Sequence, residues 1–142
     1  MSILNKMLAH IPARKSYLTM AWDASAKGHG DLAHHFFRLA YEQETEPEKK
    51  AEAAWNIYVY CKNKEKYHEA YLWCERTARF GFVKAMRILG KAYYYGIGVI
   101  PNMRLARKWL EAGAEHGDAS CRQILDGWTS EEKADESESV QS

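Results

Sequence analysis

The sequence predicts an all-α fold: a short α-solenoid of about three helix-turn-helix repeats, with a capping helix at each end. Three observations point there. Small and apolar residues recur at helical spacing: Leu89, Gly90 and Tyr93 in one run, then Ala106, Trp109, Leu110, Gly113 and Ala114 in the next. Gly96-Ile97-Gly98 separates the two runs as a turn, since glycine enters positive φ at little cost. The whole unit then recurs upstream. A shift of 36 residues lays Ala70, Trp73, Glu75, Ala78 and Gly81 on Ala106, Trp109, Glu111, Ala114 and Gly117. A further shift of 37 carries Ala70 to Ala33, Trp73 to Phe36 and Cys74 to Phe37. Helix pairs at a period of roughly 34 to 40 residues are the mark of a solenoid.

The elements follow in order. Residues 1–11 carry Ile3, Leu4, Met7, Leu8 and Ile11 on one side of a short amphipathic helix. A terminal repeat has an open face, so this helix reads as its cap; a membrane-surface anchor is the alternative, with few basic residues to support it. Three hairpins fill residues 12–117. Pro12 suits the start of the first helix, whose inward stripe is Tyr17, Met20, Ala21 and Ala24. Gly28-His29-Gly30-Asp31 turns the chain into a return helix from Leu32 to Glu42. Gly28-x-Gly30-x-x-Ala33 matches the dinucleotide fingerprint, but a helix precedes it where that motif needs a strand.

Thr45-x-x-Glu48 reads as a capping box, with Pro47 in the first turn of the second pair. Ala54, Ile57, Tyr58 and Cys61 face inward there, opposite Ala70, Trp73, Cys74, Thr77 and Ala78. In the third pair the aromatic and β-branched run from Tyr93 to Ile100 has strand propensity, yet the repeat register assigns it to a helix end and a turn. Asn102 caps the helix that follows. Asp118 opens a last helix, 118–128, with Cys121, Ile124 and Leu125 inward as the C-terminal cap. Residues 129–142 are almost without apolar side chains and read as a disordered acidic tail.

The third pair resembles the Sel1-like branch of the tetratricopeptide superfamily. The pattern A-x3-L-G-x2-Y-x2-G-x-G-V stands as Ala85, Leu89, Gly90, Tyr93, Gly96, Gly98 and Val99. It continues as A-x2-W-x4-A-x2-G at Ala106, Trp109, Ala114 and Gly117. The two earlier pairs look more like plain tetratricopeptide repeats with a shorter turn. Tyr58 departs from the pattern, which prefers a small residue, so its helices sit further apart or its hydroxyl turns outward. The resemblance implies a right-handed solenoid whose first helices line a concave groove for partner segments.

Composition bounds the function. At 142 residues, with 46% hydrophobic and 13% aromatic content, the chain is globular and of one domain. The last fourteen residues hold five acids against Lys133, a net of −4, which leaves +5 on the rest from 19 basic and 14 acidic residues. That is too mild for nucleic-acid binding. No apolar run approaches the roughly 18 residues of a membrane span, and no signal peptide is evident. Cys61, Cys74 and Cys121 lie on three helices at inward positions, as reduced thiols in a cytoplasmic protein would.

Catalytic and metal chemistry have no support. Adjacent His34 and His35 diverge by about 100° on a helix, and His29 and His68 each lie across a turn from a would-be ligand. There is no G-x-S-x-G, H-E-x-x-H or phosphate loop. No metal and no cofactor is expected.

The first helices therefore hold the candidate site. Beside the inner stripe lie Lys15, Leu18 and Trp22 from pair one, then Glu52, Trp55, Asn56 and Val59 from pair two. Pair three supplies Lys84, Arg87, Lys91, Tyr94 and Tyr95. Aromatics among cations make a recognition surface; the plainer reading fills the seam between repeats with Trp22 and Trp55 and solvates Lys84, Arg87 and Lys91. Asn56 is placed to clamp a bound backbone, and Arg87 to take a carboxylate. The expectation is a non-catalytic adaptor gripping an extended or helical protein segment, acidic with an apolar anchor. A chaperone for a secreted or assembling client is the second reading, and an enzyme or its regulatory subunit the third. A homodimer through the exposed edge helices, and an acidic tail folded back over the groove, are two further arrangements that the sequence allows.

Overall fold

The structure, a computed structural model, describes Ile3 and residues 14–128. Six helices run in sequence order: α1 (Tyr17–Ala26), α2 (Gly30–Gln43), α3 (Pro47–Asn63), α4 (Tyr67–Arg79), α5 (Val83–Tyr95) and α6 (Met103–Glu115). A further helical segment, residues 119–128, is labelled α7. Among the described residues there is no strand, and each of α1 to α6 packs on its sequence neighbour, as in a helical repeat solenoid. The expected N-terminal cap and acidic tail lie outside the described residues.

Helix starts follow local chemistry. Residues 14–16 are not helical, and α1 begins at Tyr17, not near Pro12. Ser16 decides this: its hydroxyl accepts the Thr19 N–H at 3.2 Å and satisfies one of the first-turn donors. The capping box at Thr45 does not form either. Pro47 takes the first helical position and forces its predecessor into extended backbone, so Glu46 (ψ 123°) becomes the N-cap without a side-chain hydrogen bond. Asn102 does cap α6, through Leu105 N–H at 3.0 Å. The run from Tyr93 stays helical to Tyr95 and then turns at Gly96 in the left-handed conformation.

The second helix of each pair buries the same stripe. Ala33, Ala70 and Ala106 are buried, as are Phe37, Cys74 and Leu110 four residues on. Ala40, Thr77 and Gly113 complete it after three more. Facing residues on the first helices trade volume against this stripe. Gly90 stands opposite Leu110, where a Cβ would fall 2.6 Å from the Leu110 Cγ. The equivalent place in the second pair is Tyr58, and there the opposing residue shrinks to Cys74. In the first pair Ala21 takes that place and Phe37 the opposing one. Summed volume is what a packed layer conserves. Tyr58 is thus accommodated inside, only 6% exposed, with burial pushing its hydroxyl pKa up to about 12.

Candidate functional site

Consecutive first helices, α1, α3, α5 and α7, are joined by contacts between the residues that face the expected groove. From α1, Trp22 donates its indole N–H to the Glu52 carboxylate on α3 at 2.7 Å and sets its ring edge-on to Phe37. It remains 45% exposed. From α3, Trp55 packs at 5.0 Å on Phe82, the residue that caps α5, and Lys84 lies 5.2 Å over its indole. Trp55 therefore fills the seam, while Trp22 joins the seam and still offers a face. In α1, Leu18 is buried with Ala21 and Ala24, while Tyr17 and Met20 of the expected inward stripe are only half-buried.

At the far end, Arg87 on α5 pairs with Asp118 at 3.3 Å, with side-chain exposures of 27% and 12%. Asp118 also accepts the Cys121 N–H at 2.9 Å and so starts α7. Burial pushes the Asp118 carboxyl up, but the Cys121 N–H and the Arg87 guanidinium outweigh it and hold the pKa below the ordinary value. Arg87 is thus occupied inside the fold and is not presented to a partner's carboxylate. Asn56 is similarly engaged, donating to the Glu52 carbonyl within its own helix at 2.9 Å. Lys15 pairs with Asp23 at 2.6 Å in full view of solvent, a contact of little energetic consequence.

Tyr94 stacks on Trp128 of α7 with ring centres 4.9 Å apart, and Tyr95 sits edge-on to Tyr94 at 4.7 Å while remaining 67% exposed. These three rings, with Lys91 and Ile124, line a hollow of about 330 Å³ between α5 and α7. Val59 is half-buried on α3. The surface that remains open to solvent is therefore Trp22, Lys84, Lys91 and Tyr95, set on a framework of Trp55, Arg87 and Tyr94.

The family model for the Sel1 repeat matches residues 83–118, which span α5, the glycine turn and α6. Residues 83–118 are similar to a Sel1 repeat. Its fold is similar to the crystal structure of a Sel1 repeat protein from Oxalobacter formigenes, with a TM-score of 0.61 and 28% identity, covering 79% of this chain and 86% of that one. An uncharacterized protein of Neisseria meningitidis serogroup B is 35% identical over 96 residues, 67% of this chain. The chain spans only 20% of that relative's length. Sel1 repeats generally mediate contacts between proteins.

The long turn of the Sel1 repeat has a structural duty here. Gly98, at φ 72°, lies so close to the start of α4 that a Cβ would overlap the Tyr67 carbonyl. The Gly98 carbonyl also meets the His68 Nδ1 at 3.0 Å. The repeat therefore holds its predecessor by backbone as well as by side chains. Sequence reasoning missed Phe82, Asp118 and Trp128 as groove partners. Phe82 and Asp118 precede helices and signal only caps, and Trp128 ends one, so their spacing carries no stripe. Among the described residues no cluster of three His, Cys, Asp or Glu is placed to hold a metal, and no helix is long and apolar enough to cross a membrane. Burial pushes the thiol of Cys74 up to about 12 and that of Cys121 to about 11, far from reactive thiolates.

Proposed function

We propose that this chain is a non-catalytic interaction module whose first helices bind a segment of another protein, acidic and carrying an apolar anchor. The observation that supports the reading is the exposure of Trp22 on α1 and of Lys84, Lys91 and Tyr95 on α5, beside a framework that is already hydrogen-bonded and paired. Large amphipathic rings supply contact area at low conformational cost, and Lys84 and Lys91, in no salt bridge among the described residues, attract carboxylates and steer their approach. The three buried thiols suit a reducing compartment such as the cytoplasm.

The test is affinity capture of partners by wild type against a Lys84→Glu/Tyr95→Ala variant. Both side chains are exposed and each gives up one surface ring contact, so circular dichroism should not move and the melting temperature should fall by only a few degrees. The captured partner should be lost about tenfold. Undiminished capture by a folded variant would end the groove reading.

A further inference from the structure

We infer that the cavity between α3, α4 and α5 is a slot for one apolar side chain of the partner, aromatic or branched aliphatic, flanked by carboxylates that Lys62 and Lys91 receive. This rests on the interaction reading above and names the chemistry of the segment at one position.

The cavity holds about 290 Å³. Small-molecule sites begin near 300 Å³ and extend to about 1,000 Å³, so this space suits a side chain rather than a cofactor. It lies at the seam between the second and third pairs, where α3, α4 and α5 border a space that the short side chains of Cys74 and Ala92 do not fill. An unfilled apolar hollow forfeits dispersion contacts that an inserted side chain restores.

The lining is apolar by construction. Tyr71 presents its ring, because its hydroxyl is already joined to that of Tyr93 at 2.7 Å. The Cys74 thiol is turned to the Ala85 carbonyl at 3.4 Å. Ile88 and Ala92 form the α5 wall. At the mouth, Tyr67 and Ile97 are 46% and 48% exposed, apolar lips of the kind that mark binding sites on a soluble surface. Lys62 and Lys91 also border the cavity, both exposed, and neither enters a salt bridge among the described residues. An apolar hole with two uncommitted ammonium groups beside it complements an apolar residue with acidic neighbours.

The probe is a blocked pentapeptide, Phe between two Glu on each side, titrated into 15N-labelled protein and followed by NMR. The expected result is a set of amide shifts at Tyr71, Ile88 and Ile97. Replacing the Phe by Ala, the Glu by Lys, or Lys62 and Lys91 by Glu should each weaken binding about tenfold. Cys74→Leu and Ala92→Leu fill the slot from two sides; at least one should fold with an unreduced melting temperature, and each folded variant should lose the same shifts. Absence of those shifts in wild type, or equal affinity in a folded filled variant, overturns the slot. If natural partner capture survives slot filling yet fails in Lys84→Glu/Tyr95→Ala, the slot falls and the groove stands.

Discussion

Single residues carry strain that the repeat explains. Glu65 sits at φ 58°, in the turn position that the first hairpin gives to Gly28 at φ 77°. A left-handed non-glycine residue costs about 1–2 kcal/mol, and glycine returns roughly 0.5–1 of that through unfolded-state entropy. Glu65→Gly should therefore raise the unfolding free energy by about 0.5–1 kcal/mol, read as a higher denaturant midpoint at constant slope; an unchanged or lower midpoint would contradict it. His34 is the second case. Its ring stacks on Tyr60 at 3.9 Å, and its buried Nδ1 has no hydrogen-bond partner among the described residues. Burial, aided by Arg38 and Lys66, holds its pKa below the ordinary histidine value. The unfolded chain then binds the proton more readily, so stability is present above about pH 6.5 and is lost as pH falls below it. His34→Phe keeps the stack and removes the orphan nitrogen. It should gain about 1 kcal/mol at pH 7 and flatten the fall in stability between pH 7 and 5, measured by denaturation at each pH.

At the scale of elements, the contacts between helix pairs are specific rather than merely greasy. Gly90 allows α5 to approach Leu110 of α6, and a methyl there has nowhere to go. Gly90→Ala should cost about 1–3 kcal/mol, and Leu110→Ala in the same chain should return part of that cost, a coupling that a double-mutant cycle reads directly. Additive losses would show that the two residues do not meet. The Arg87–Asp118 pair does similar work between α5 and α7. Because both side chains are partly shielded, Arg87→Glu should loosen α7 by about 1–2 kcal/mol, less than a fully buried pair. Amide exchange in residues 119–128 should speed up while α3 and α4 stay protected. The held-down Asp118 pKa adds a pH signature: that contribution is present above about pH 4 and is lost as pH falls through the lower folded value.

For the molecule as a whole, the body is mildly basic, and Lys84 and Lys91 of the open surface both lie on α5. Binding of an acidic segment should accordingly weaken several-fold between about 0.05 and 0.5 M salt, as the screening length shrinks from roughly 14 to 4 Å. Salt-independent affinity would assign binding to the apolar contacts alone. How much of this was legible beforehand depended on range. Ala70 and Ala106, or Gly96 and Gly98, announce their places because a helix stripe and a positive-φ turn are written in consecutive residues. The groove was legible only as a set of faces. Asn56 and Arg87 carried the right chemistry for a ligand, but Glu52 and Asp118 claim them first, and Asp118 is 31 residues from Arg87.

The sequence alone determined the helical pairs, their period near 36 residues and the glycine turn of the third repeat, because each is set by spacing within one or two turns of chain. Only the tertiary structure decided which charges are spent internally, which aromatics close a seam, and where a hollow remains. Those outcomes depend on volumes and pairings between residues far apart in the chain, such as Tyr58 with Cys74 or Trp22 with Glu52. No periodicity within either helix encodes the size of the residue that will face it.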